Sequence, residues 1–469
     1  MAALCSAASC FMVAGAPEHA AAVDLPPMPK TIAFIDPGMR LTPYLCAAVG
    51  ELPAGVHPAF FALRPKPRSI LRRCGHALAP APRLWPVARA ARPQAQRPDP
   101  DIDRDALLAG LRLARDRDAV TRASADYRRL LHSLRAFLDH RAPDGLFCWN
   151  GSGLAAGLAA QLARVNGIPM AFGENGYLPG TMQLDPKGVN AASSFGPDHR
   201  RLERILGLSW SAREYATLDA VLQAYRDGKR FTPAVSRPRA LGASPLAYLE
   251  QALIDWRERE PGRRVNRLVP KTPPPLPKRY VLFPLQVRQD SQLTVHSPLY
   301  GNQLDEVITG LVEALADIAP ELVLVVKLHP ADRDKTDYDP LIRRFGQVFW
   351  LDGGDIRALL PAAQAVVTIN STVGIEAMIF NRPVVVLGRA YYGFDGLVHL
   401  VTRRDQLTDA LQRALNQEPN PETNHDYLAF LYFKALTRAH PRDYSTMSMQ
   451  TFCARLAEIF GLADEGSRC

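Results

Sequence analysis

Two carboxylates occur close together in a stretch that is rich in glycine and small polar residues. Glu174 lies in the segment Gly173–Gly176, directly after a strand predicted over Ile168–Phe172, and Asp185 begins an Asp-Pro-Lys-Gly segment downstream. Glycine lets the backbone bend toward a ligand, and a carboxylate in a cleft can act as a nucleophile or base in glycosyl chemistry. The pattern favours a functional Glu174, whereas for Asp185 a plain Asp-Pro turn is the stronger alternative.

Basic and hydroxyl side chains at other predicted strand ends are suited to binding a phosphate. Lys327 and His329 stand at the end of a Val-rich strand predicted over Leu322–Leu328. Ser371 and Thr372 come between a buried strand and a helix, where a hydroxyl caps the helix and the free N–H groups attract an anion. Capping alone and a structural histidine are the simpler alternatives, but the nearby lysine favours an anion site. It is not a P-loop, because GxxxxGK[ST] is absent from the sequence.

Polar residues follow several other predicted strands. Ligands of open parallel sheets bind at the carboxyl ends of the strands, so a set of such residues indicates a cleft more strongly than any one alone. The run after the predicted strand Tyr280–Leu285 carries amides and hydroxyls that suit a base or a sugar, with a solvated loop as the alternative. The residues of this set are Asn150, Gln286, Asp290, Ser291, Gln292 and Asn370.

The elements that must position these residues alternate between short apolar strands and helices. That alternation predicts an α/β fold with parallel sheets. It occurs twice, on either side of a Pro-rich stretch, and therefore predicts two Rossmann-like domains facing a cleft, with one long final helical region over Asp426–Phe460. The predicted parts are an N-terminal extension (1–29), a first domain with helical insertions (30–267), a linker (268–278), a second domain (279–425) and C-terminal helices that brace the first domain (426–469).

The positive charge of the chain is confined to one segment. The 469 residues carry 56 Lys and Arg against 47 Asp and Glu, a net charge of +9 in an otherwise ordinary globular composition. Nine basic residues and no acidic one lie between Glu51 and Asp99, so this segment holds the whole excess. It suits contact with a phosphate-bearing surface, either lipid or nucleic acid, and a solvated loop is the equal alternative.

Cysteine usage and hydropathy indicate the compartment. The seven cysteines include no CxxC pair, which favours a reducing compartment. The sequence contains no run of 18 or more apolar residues, so we expect no transmembrane helix. The N-terminal stretch lacks the basic start of a signal peptide, so we interpret it as a loose extension. No DxD-type acidic pair ends a predicted strand, and we therefore expect no metal and no other cofactor. A nucleic-acid partner is not expected either, because no known binding motif is present.

Taken in order along the chain, these motifs resemble the capsule polysaccharide biosynthesis proteins of the KpsS/KpsC type. The resemblance spans roughly Thr31 to Phe460, and the single set of motifs is closest to the single-module, KpsS-like members. The matching segments are Phe34-Ile-Asp-Pro-Gly-Met-Arg40, Leu63-Arg-Pro-Lys-Pro67, Glu174-Asn-Gly-Tyr-Leu-Pro179, Gly188-Val-Asn190, Pro284-Leu-Gln286 with Asp290-Ser-Gln292 and His296-Ser297, Lys327-Leu-His-Pro330, and Asn370-Ser-Thr-Val-Gly374 with Glu376.

The resemblance implies a GT-B-like retaining β-Kdo transferase. Such an enzyme takes Kdo from CMP-β-Kdo and adds it to a (lyso)phosphatidylglycerol-type lipid, which starts the poly-Kdo linker of a capsule. It implies a cytoplasmic protein that is peripherally associated with the inner membrane, contacts anionic lipid and works beside other capsule-assembly proteins. The alternatives are a GT-B enzyme that uses another nucleotide sugar, and a non-enzymatic capsule-assembly scaffold.

The resemblance also assigns roles to residues. The catalytic set is Glu174, Asp185 and His329; the donor-binding set is Gln286, Asp290, Ser291, Gln292, Lys327, His329, Pro330, Asn370, Ser371, Thr372 and Glu376; the acceptor or loop set is Asn150, Asn175, Gly176, Tyr177 and Asn190; and the membrane-contact set is Arg64, Arg68, Arg72 and Arg73. KpsC-like modules tend to read Glu-Asp-Gly where this chain has Asn175, so a role of that Asp as nucleophile cannot pass to Asn175. Glu174 is then the first candidate for the nucleophile and Asp185 the second.

Overall fold

The computed structural model describes most of the chain. The described residues are 30–78, 117–151, 153–198, 200–229, 231–258, 266–270, 275–288, 293, 296–333 and 336–462. The predicted extension 1–29, part of the predicted linker, and the donor-binding candidates Asp290, Ser291 and Gln292 lie outside these ranges.

The described residues form eleven strands and fourteen α-helices. The strands are β1 Lys30–Ile35, β2 Val56–Phe61, β3 Gly145–Trp149, β4 Met170–Asn175, β5 Met182–Asp185, β6 Tyr280–Pro284, β7 Val323–Lys327, β8 Phe349–Leu351, β9 Ala363–Thr368, β10 Val384–Val386 and β11 His399–Leu400. The helices are α1 Gly38–Ala48, α2 Pro65–Arg73, α3 Arg117–Arg141, α4 Leu154–Val165, α5 Arg201–Leu206, α6 Ala212–Arg226, α7 Pro245–Glu258, α8 Leu304–Ile318, α9 Asp339–Arg344, α10 Ile356–Leu359, α11 Val373–Ile379, α12 Leu407–Asn416, α13 Pro421–Phe430 and α14 Thr446–Phe460.

The first sheet has the strand order β2-β1-β3-β4-β5. Strands β1 to β4 run parallel, whereas β5 pairs antiparallel with β4. Helices α1 and α14 cover one face of this sheet, and α3 and α4 cover the other. Because both faces are covered, the central strands are apolar on both sides, as in other parallel sheets.

The second sheet has the order β11-β10-β9-β6-β7-β8, and all its strands run parallel. Helices α8 and α12 pack on one face, and α6, α11 and α13 pack on the other. The prediction of an α/β fold built on two largely parallel sheets is therefore confirmed.

Two helices pack against the sheet of the other half of the chain. Helix α6, which follows the first sheet in sequence, buries Leu218 and Leu222 in the core of the second sheet. Helix α14, which follows the second sheet, buries Phe452 and Leu456 in the core of the first. The two cores are therefore interleaved by chain segments that cross between them.

Two local predictions were wrong. Strand β4 does not end at Phe172 but continues to Asn175, because the unpredicted strand β5 pairs with it and satisfies its backbone groups. The region Asp426–Phe460 is not one helix but α13, a short π-helical segment and α14. Thr437 leaves the helical path because its backbone exchanges hydrogen bonds with that of Met182 in β5.

Candidate functional site

Lys327 is the last residue of β7 and has a nearly buried side chain. It is 6% exposed, and its ammonium group makes no hydrogen bond or ion pair with the part of the chain that the structure describes. Burial lowers the pKa of Lys327 below the usual lysine value, while the carboxylates of Glu376 and Asp355 oppose that shift. An ammonium group at the end of a nearly buried side chain, without a protein partner, is the kind of group that binds an anionic ligand.

His329 lies just beyond β7 and holds a fixed orientation. Its Nδ1 atom accepts a hydrogen bond from the backbone N–H of Ala331 at 3.1 Å. The hydrogen of the neutral ring therefore resides on Nε2, which is a donor. The neighbouring Pro330 is exposed, and the carbonyl of His329 accepts the backbone N–H of Asp332, so the segment turns directly after the strand.

Gln286 and Asn370 form a buried pair between the neighbouring strands β6 and β9. Gln286 Nε2 donates to Asn370 Oδ1 at 2.9 Å, and the backbone N–H of Asn370 donates to Gln286 Oε1 at 3.2 Å. Asn370 Nδ2 also donates to the carbonyl of His296 at 3.3 Å, which anchors the loop after β6. Because β6 lies between β7 and β9, this pair ends strands next to Lys327.

The segment Ser371–Gly374 turns from β9 into α11. Ser371 Oγ accepts the backbone N–H of Val373 at 3.2 Å, whereas the side chain of Thr372 makes no such cap. The hydroxyl of Tyr392 donates to the carbonyl of Ser371. A Cβ atom on Gly374 would lie 2.4 Å from the Tyr392 ring, so only glycine fits there. Ser371 therefore has the helix-capping role that was the simpler alternative in the sequence analysis.

Glu376 connects the two halves of the molecule. The hydroxyl of Tyr225, on α6, donates to Glu376 Oε2 at 2.6 Å, and burial raises the pKa of Glu376. The guanidinium of Arg357 lies 5.4 Å from the centre of the Tyr225 ring. A carboxylate predicted to bind the donor is therefore part of a contact between α6 and α11, close enough to Lys327 to oppose the lowering of its pKa.

Glu174 and Asp185 lie on the same face of the two-strand ladder of β4 and β5. Glu174 is directly opposite Gln183, and Phe172 is opposite Asp185. Diagonal neighbours of this kind are about 7–8 Å apart between their Cα atoms. Burial is the main cause of the raised pKa of Tyr177, and the charges of both carboxylates raise it further. The structure therefore brings the two catalytic candidates into one neighbourhood.

The two carboxylates differ in their surroundings. Asp185 is 1% exposed and accepts hydrogen bonds from the backbone N–H groups of Lys187, Gly188 and Ser194 and from the Ser194 hydroxyl. Glu174 is only half-buried, and its Oε1 accepts from the backbone and the side-chain amide of the adjacent Asn175. The hydrogen bonds of Asp185 stabilise the turn that follows it, which favours the interpretation of Asp185 as a turn residue. Glu174 is the more accessible of the two carboxylates.

Tyr177 and Asn190 meet around Gln183, a residue that the sequence analysis did not single out. The Tyr177 hydroxyl lies 2.5 Å from Gln183 Oε1 and 3.0 Å from Asn190 Oδ1, and the backbone N–H of Asn190 donates to Gln183 Oε1 at 3.0 Å. Gln183 Nε2 is buried without a partner among the described residues. The Tyr177 ring stacks on Tyr391 of the second half, with centroids 4.0 Å apart.

Three further residues complete the edge of the first sheet. A Cβ atom on Gly176 would lie 2.0 Å from Thr181 Oγ1, so this position also requires glycine. Asn150 has a left-handed backbone, with φ of 47°, and its N–H donates to the carbonyl of Gly173 at 2.7 Å. Asp36, after β1, accepts the backbone N–H of Leu63, and burial raises its pKa. Its position directly after a buried strand was the signal that could have identified it.

The membrane-contact candidates lie on and before α2, which follows the carboxyl end of β2, and the charge of Arg64 opposes the raised pKa of Asp36. Arg72 and Arg73 are exposed, and Arg68 donates to the carbonyl of Ala62 at 2.8 Å. In the described part of the chain, no helix is long and apolar enough to cross a membrane. The same residues contain no cluster of three or more His, Cys, Asp or Glu side chains that could hold a metal ion.

Comparison with known proteins gives a family match over part of the chain. The model of the family described as "Capsule polysaccharide biosynthesis protein" matches residues 249–436. The capsule polysaccharide export protein KpsS of Escherichia coli is 31% identical over 258 residues, which are 51% of this chain and 66% of that protein. Protein FixF of Sinorhizobium fredii is 28% identical over 317 residues, which are 68% of this chain and 65% of that protein. The chain thus spans just under two thirds of each relative.

Among solved structures, the chain is similar to the β-Kdo 2,7 transferase KpsC of Thermosulfurimonas dismutans. The TM-score is 0.42 at 18% identity, over 70% of this chain and 89% of that one. This is a loose likeness.

Proposed function

We propose that the chain is a member of the capsule polysaccharide biosynthesis protein family and, on that premise, a retaining glycosyltransferase of capsule biosynthesis. The donor is CMP-β-Kdo, and the acceptor is a (lyso)phosphatidylglycerol-type lipid of the inner leaflet. The transfer begins a poly-Kdo linker. The enzyme acts at the cytoplasmic face of the membrane as a peripheral protein, beside other capsule-assembly proteins. The family match and the site at the strand ends support this proposal.

The observation that carries the proposal is the nearly buried side chain of Lys327, whose ammonium group makes no hydrogen bond or ion pair with the described residues. It lies beside the buried amides of Gln286 and Asn370, at the edge where parallel sheets bind nucleotides. A phosphate there would replace the hydration that burial removes from the lysine. We therefore assign the phosphate of the donor to Lys327, with the Nε2–H group of His329 as a second hydrogen-bond donor.

The proposed reaction divides its work between the two halves of the molecule. The bond between the anomeric carbon of Kdo and the phosphate oxygen breaks, and CMP leaves with the bonding electrons. Lys327 and His329 stabilise the negative charge on that leaving phosphate, so the proposal needs no metal or other cofactor. The carboxylate of Glu174 attacks the anomeric carbon from the opposite face and forms a glycosyl ester. The acceptor hydroxyl then attacks the anomeric carbon and gives its proton to solvent, while the glycosyl ester bond breaks and returns its electrons to the Glu174 carboxylate, which gives net retention.

Donor binding is the first test of the proposal. Replacement of Lys327 by Met should weaken CMP binding about 10- to 100-fold, because one charge-assisted hydrogen bond to a phosphate is lost. Lys434→Met removes an exposed lysine elsewhere and should leave CMP binding unchanged. Titration calorimetry measures both variants. A wild-type protein that binds UDP but not CMP would overturn the donor assignment, and one that binds neither nucleotide would favour a scaffold.

Transfer is the second test. The wild-type protein is incubated with CMP-β-Kdo and lysophosphatidylglycerol, and mass spectrometry follows both the glycolipid and the released CMP. We expect one Kdo residue on the lipid and an equal amount of CMP. If the folded protein binds CMP but forms no glycolipid, the acceptor assignment is wrong while the donor assignment stands.

A further inference from the structure

Helix α7 exposes its large apolar side chains to solvent instead of burying them. We name four of its residues the apolar stripe: Leu246, Leu249, Leu253 and Trp256, which are 65%, 59%, 48% and 69% exposed. At about 100° per residue, their spacing puts all four within one sector of the helix that is about 80° wide. Contiguous apolar surface of this kind marks an interaction site more often than scattered exposed leucines do.

The inner face of α7 holds this orientation. Gln251 is fully buried on the side opposite the stripe, and its Nε2 donates to Asp255 at 2.9 Å. Ala247 is buried on the same inner side. Rotation of the helix to hide the stripe would expose these contacts, so the leucines and the tryptophan face outward as part of the fold.

The basic helix α2 packs directly against α7. The ammonium of Lys66 lies 4.1 Å from the centre of the Tyr248 ring, and an Arg64 nitrogen lies 3.7 Å from Asp255 Oδ1. The hydroxyls of Ser69 and Ser244 are 3.1 Å apart. Arg72 and Arg73 at the end of α2 are exposed, and the sequence has no acidic residue between Glu51 and Asp99. Helix α2 therefore lies along the side of α7 that carries Tyr248 and Asp255, and the end of α2 that bears Arg72 and Arg73 lies toward Ser244, at the start of α7.

We propose that the apolar stripe and the arginines of α2 form a single docking surface for an anionic lipid bilayer. The stripe enters the boundary between headgroups and acyl chains, with Trp256 at the polar interface that tryptophan prefers, and Arg72 and Arg73 contact lipid phosphates. The charge selects this partner, because a symmetric contact with a second copy would bring two basic helices toward each other. The role of this docking surface rests on the proposed lipid-acceptor function. The residues that form it are on α2 and α7 and do not belong to the donor site.

Vesicle binding tests the apolar stripe. The full chain is sedimented with phosphatidylcholine vesicles that contain or lack phosphatidylglycerol. We expect binding only to the anionic vesicles, and at least about tenfold weaker binding for Leu249→Ser/Leu253→Ser/Trp256→Ser. Met447→Ser is the matched control, because Met447 is 75% exposed on α14, and it should bind like the wild type.

A second pair of variants tests the charge. Arg72→Ser/Arg73→Ser should weaken binding and reduce its dependence on salt. Arg128→Ser/Arg129→Ser removes the same charge from the exposed side of α3, which covers the other face of the first sheet, and should have no effect.

Fluorescence tests the depth of insertion. Lipids with brominated acyl chains quench tryptophan that enters the bilayer. We expect quenching in the wild type that is lost in Trp256→Phe, a variant that keeps an apolar ring and should still bind the vesicles.

Four outcomes would overturn the docking surface. They are no binding to anionic vesicles, equal binding by the triple variant, unchanged quenching in Trp256→Phe, and a dimer that the triple variant abolishes. CMP binding keeps this test separate from the proposed function. A protein that docks through the stripe but does not bind CMP removes the proposed function and leaves the docking surface, whereas variants that lose vesicle binding should retain CMP binding.

Discussion

At the scale of single residues, Lys327 and Glu376 are in an environment that a ligand would change. Burial lowers the pKa of Lys327 and raises that of Glu376, so each group is shifted toward its neutral form in the free protein. A bound phosphate would favour the charged lysine and raise its pKa again. Ligand binding and protonation are then linked.

This linkage predicts that CMP binding takes up protons. As the pH rises through the pKa of Lys327 in the free protein, an increasing share of lysine must be protonated when the phosphate binds. Calorimetry in buffers of different ionisation enthalpy measures the proton count. We expect uptake that grows with pH in the wild type and is lost in Lys327→Met. Proton release, or equal uptake in both proteins, would contradict a contact between this lysine and the phosphate.

The two carboxylates of the β4–β5 ladder can be separated by one pair of variants. Glu174→Gln should abolish transfer, keep CMP binding and change the free energy of unfolding by less than about 1 kcal/mol. Asp185→Ala leaves three backbone N–H groups and one hydroxyl without their acceptor and should cost about 3 kcal/mol of stability. Denaturant unfolding and the transfer assay measure both. Full activity in Glu174→Gln would remove this residue from the mechanism.

At the scale of elements, the segment between α13 and α14 contains a histidine whose charge the fold disfavours. His440 packs on the ring of Phe231 at 4.5 Å between centroids, and its Nδ1 accepts the backbone N–H of Arg442. Burial, together with the charge of Arg442, lowers the pKa of His440 to about 4. The segment is thus held by a neutral imidazole.

Stability should therefore fall as the pH is lowered from about 6.5 to about 4. In that window the unfolded chain binds a proton that the folded protein does not, so protonation favours unfolding, and the stabilisation is fully present only above the upper limit. His440 contributes at most about 3 kcal/mol to this loss. Denaturant titrations across the window should show a smaller decrease for His440→Gln than for the wild type. Parallel curves for the two proteins would disprove the assignment.

At the scale of the whole molecule, the two halves share their cores. Helix α14 inserts Phe452 against Tyr44 and Phe147 of the first half, at 5.6 Å and 5.8 Å between ring centroids. In the other direction, α6 packs on the second sheet, and Tyr225 bonds Glu376. Each core contains a helix that comes from the other half of the chain. We therefore expect neither half to unfold alone.

Calorimetry should then show one unfolding transition. Phe452→Ala should lower the stability measured from that single transition by about 3–5 kcal/mol, because a fully buried ring is lost. Met447→Ala, at an exposed position of the same helix, should have little effect. Two transitions, of which only one moves in Phe452→Ala, would show that the halves fold independently.

The sequence by itself determined the elements whose signal is local. Runs such as Tyr280–Leu285 and Leu322–Val326 are largely apolar because a parallel strand is buried on both faces, and they correspond to β6 and β7. The same logic put Lys327, Gln286 and Asn370 at the ends of predicted strands. Those strand ends could be found without the structure because they follow from short-range patterns, whereas the placement of β6 between β7 and β9 is a long-range pairing.

Tertiary structure alone decided which distant segments pair and which faces are covered. Glu174 entered a strand because Met182–Asp185, which carries no clear strand pattern, pairs with β4. Gln183 became buried, and the leucines of α7 became exposed, through contacts with remote parts of the chain. Local periodicity says that a helix has an apolar face, but not whether protein or solvent meets it. That outcome depends on long-range packing, which no short window of sequence contains.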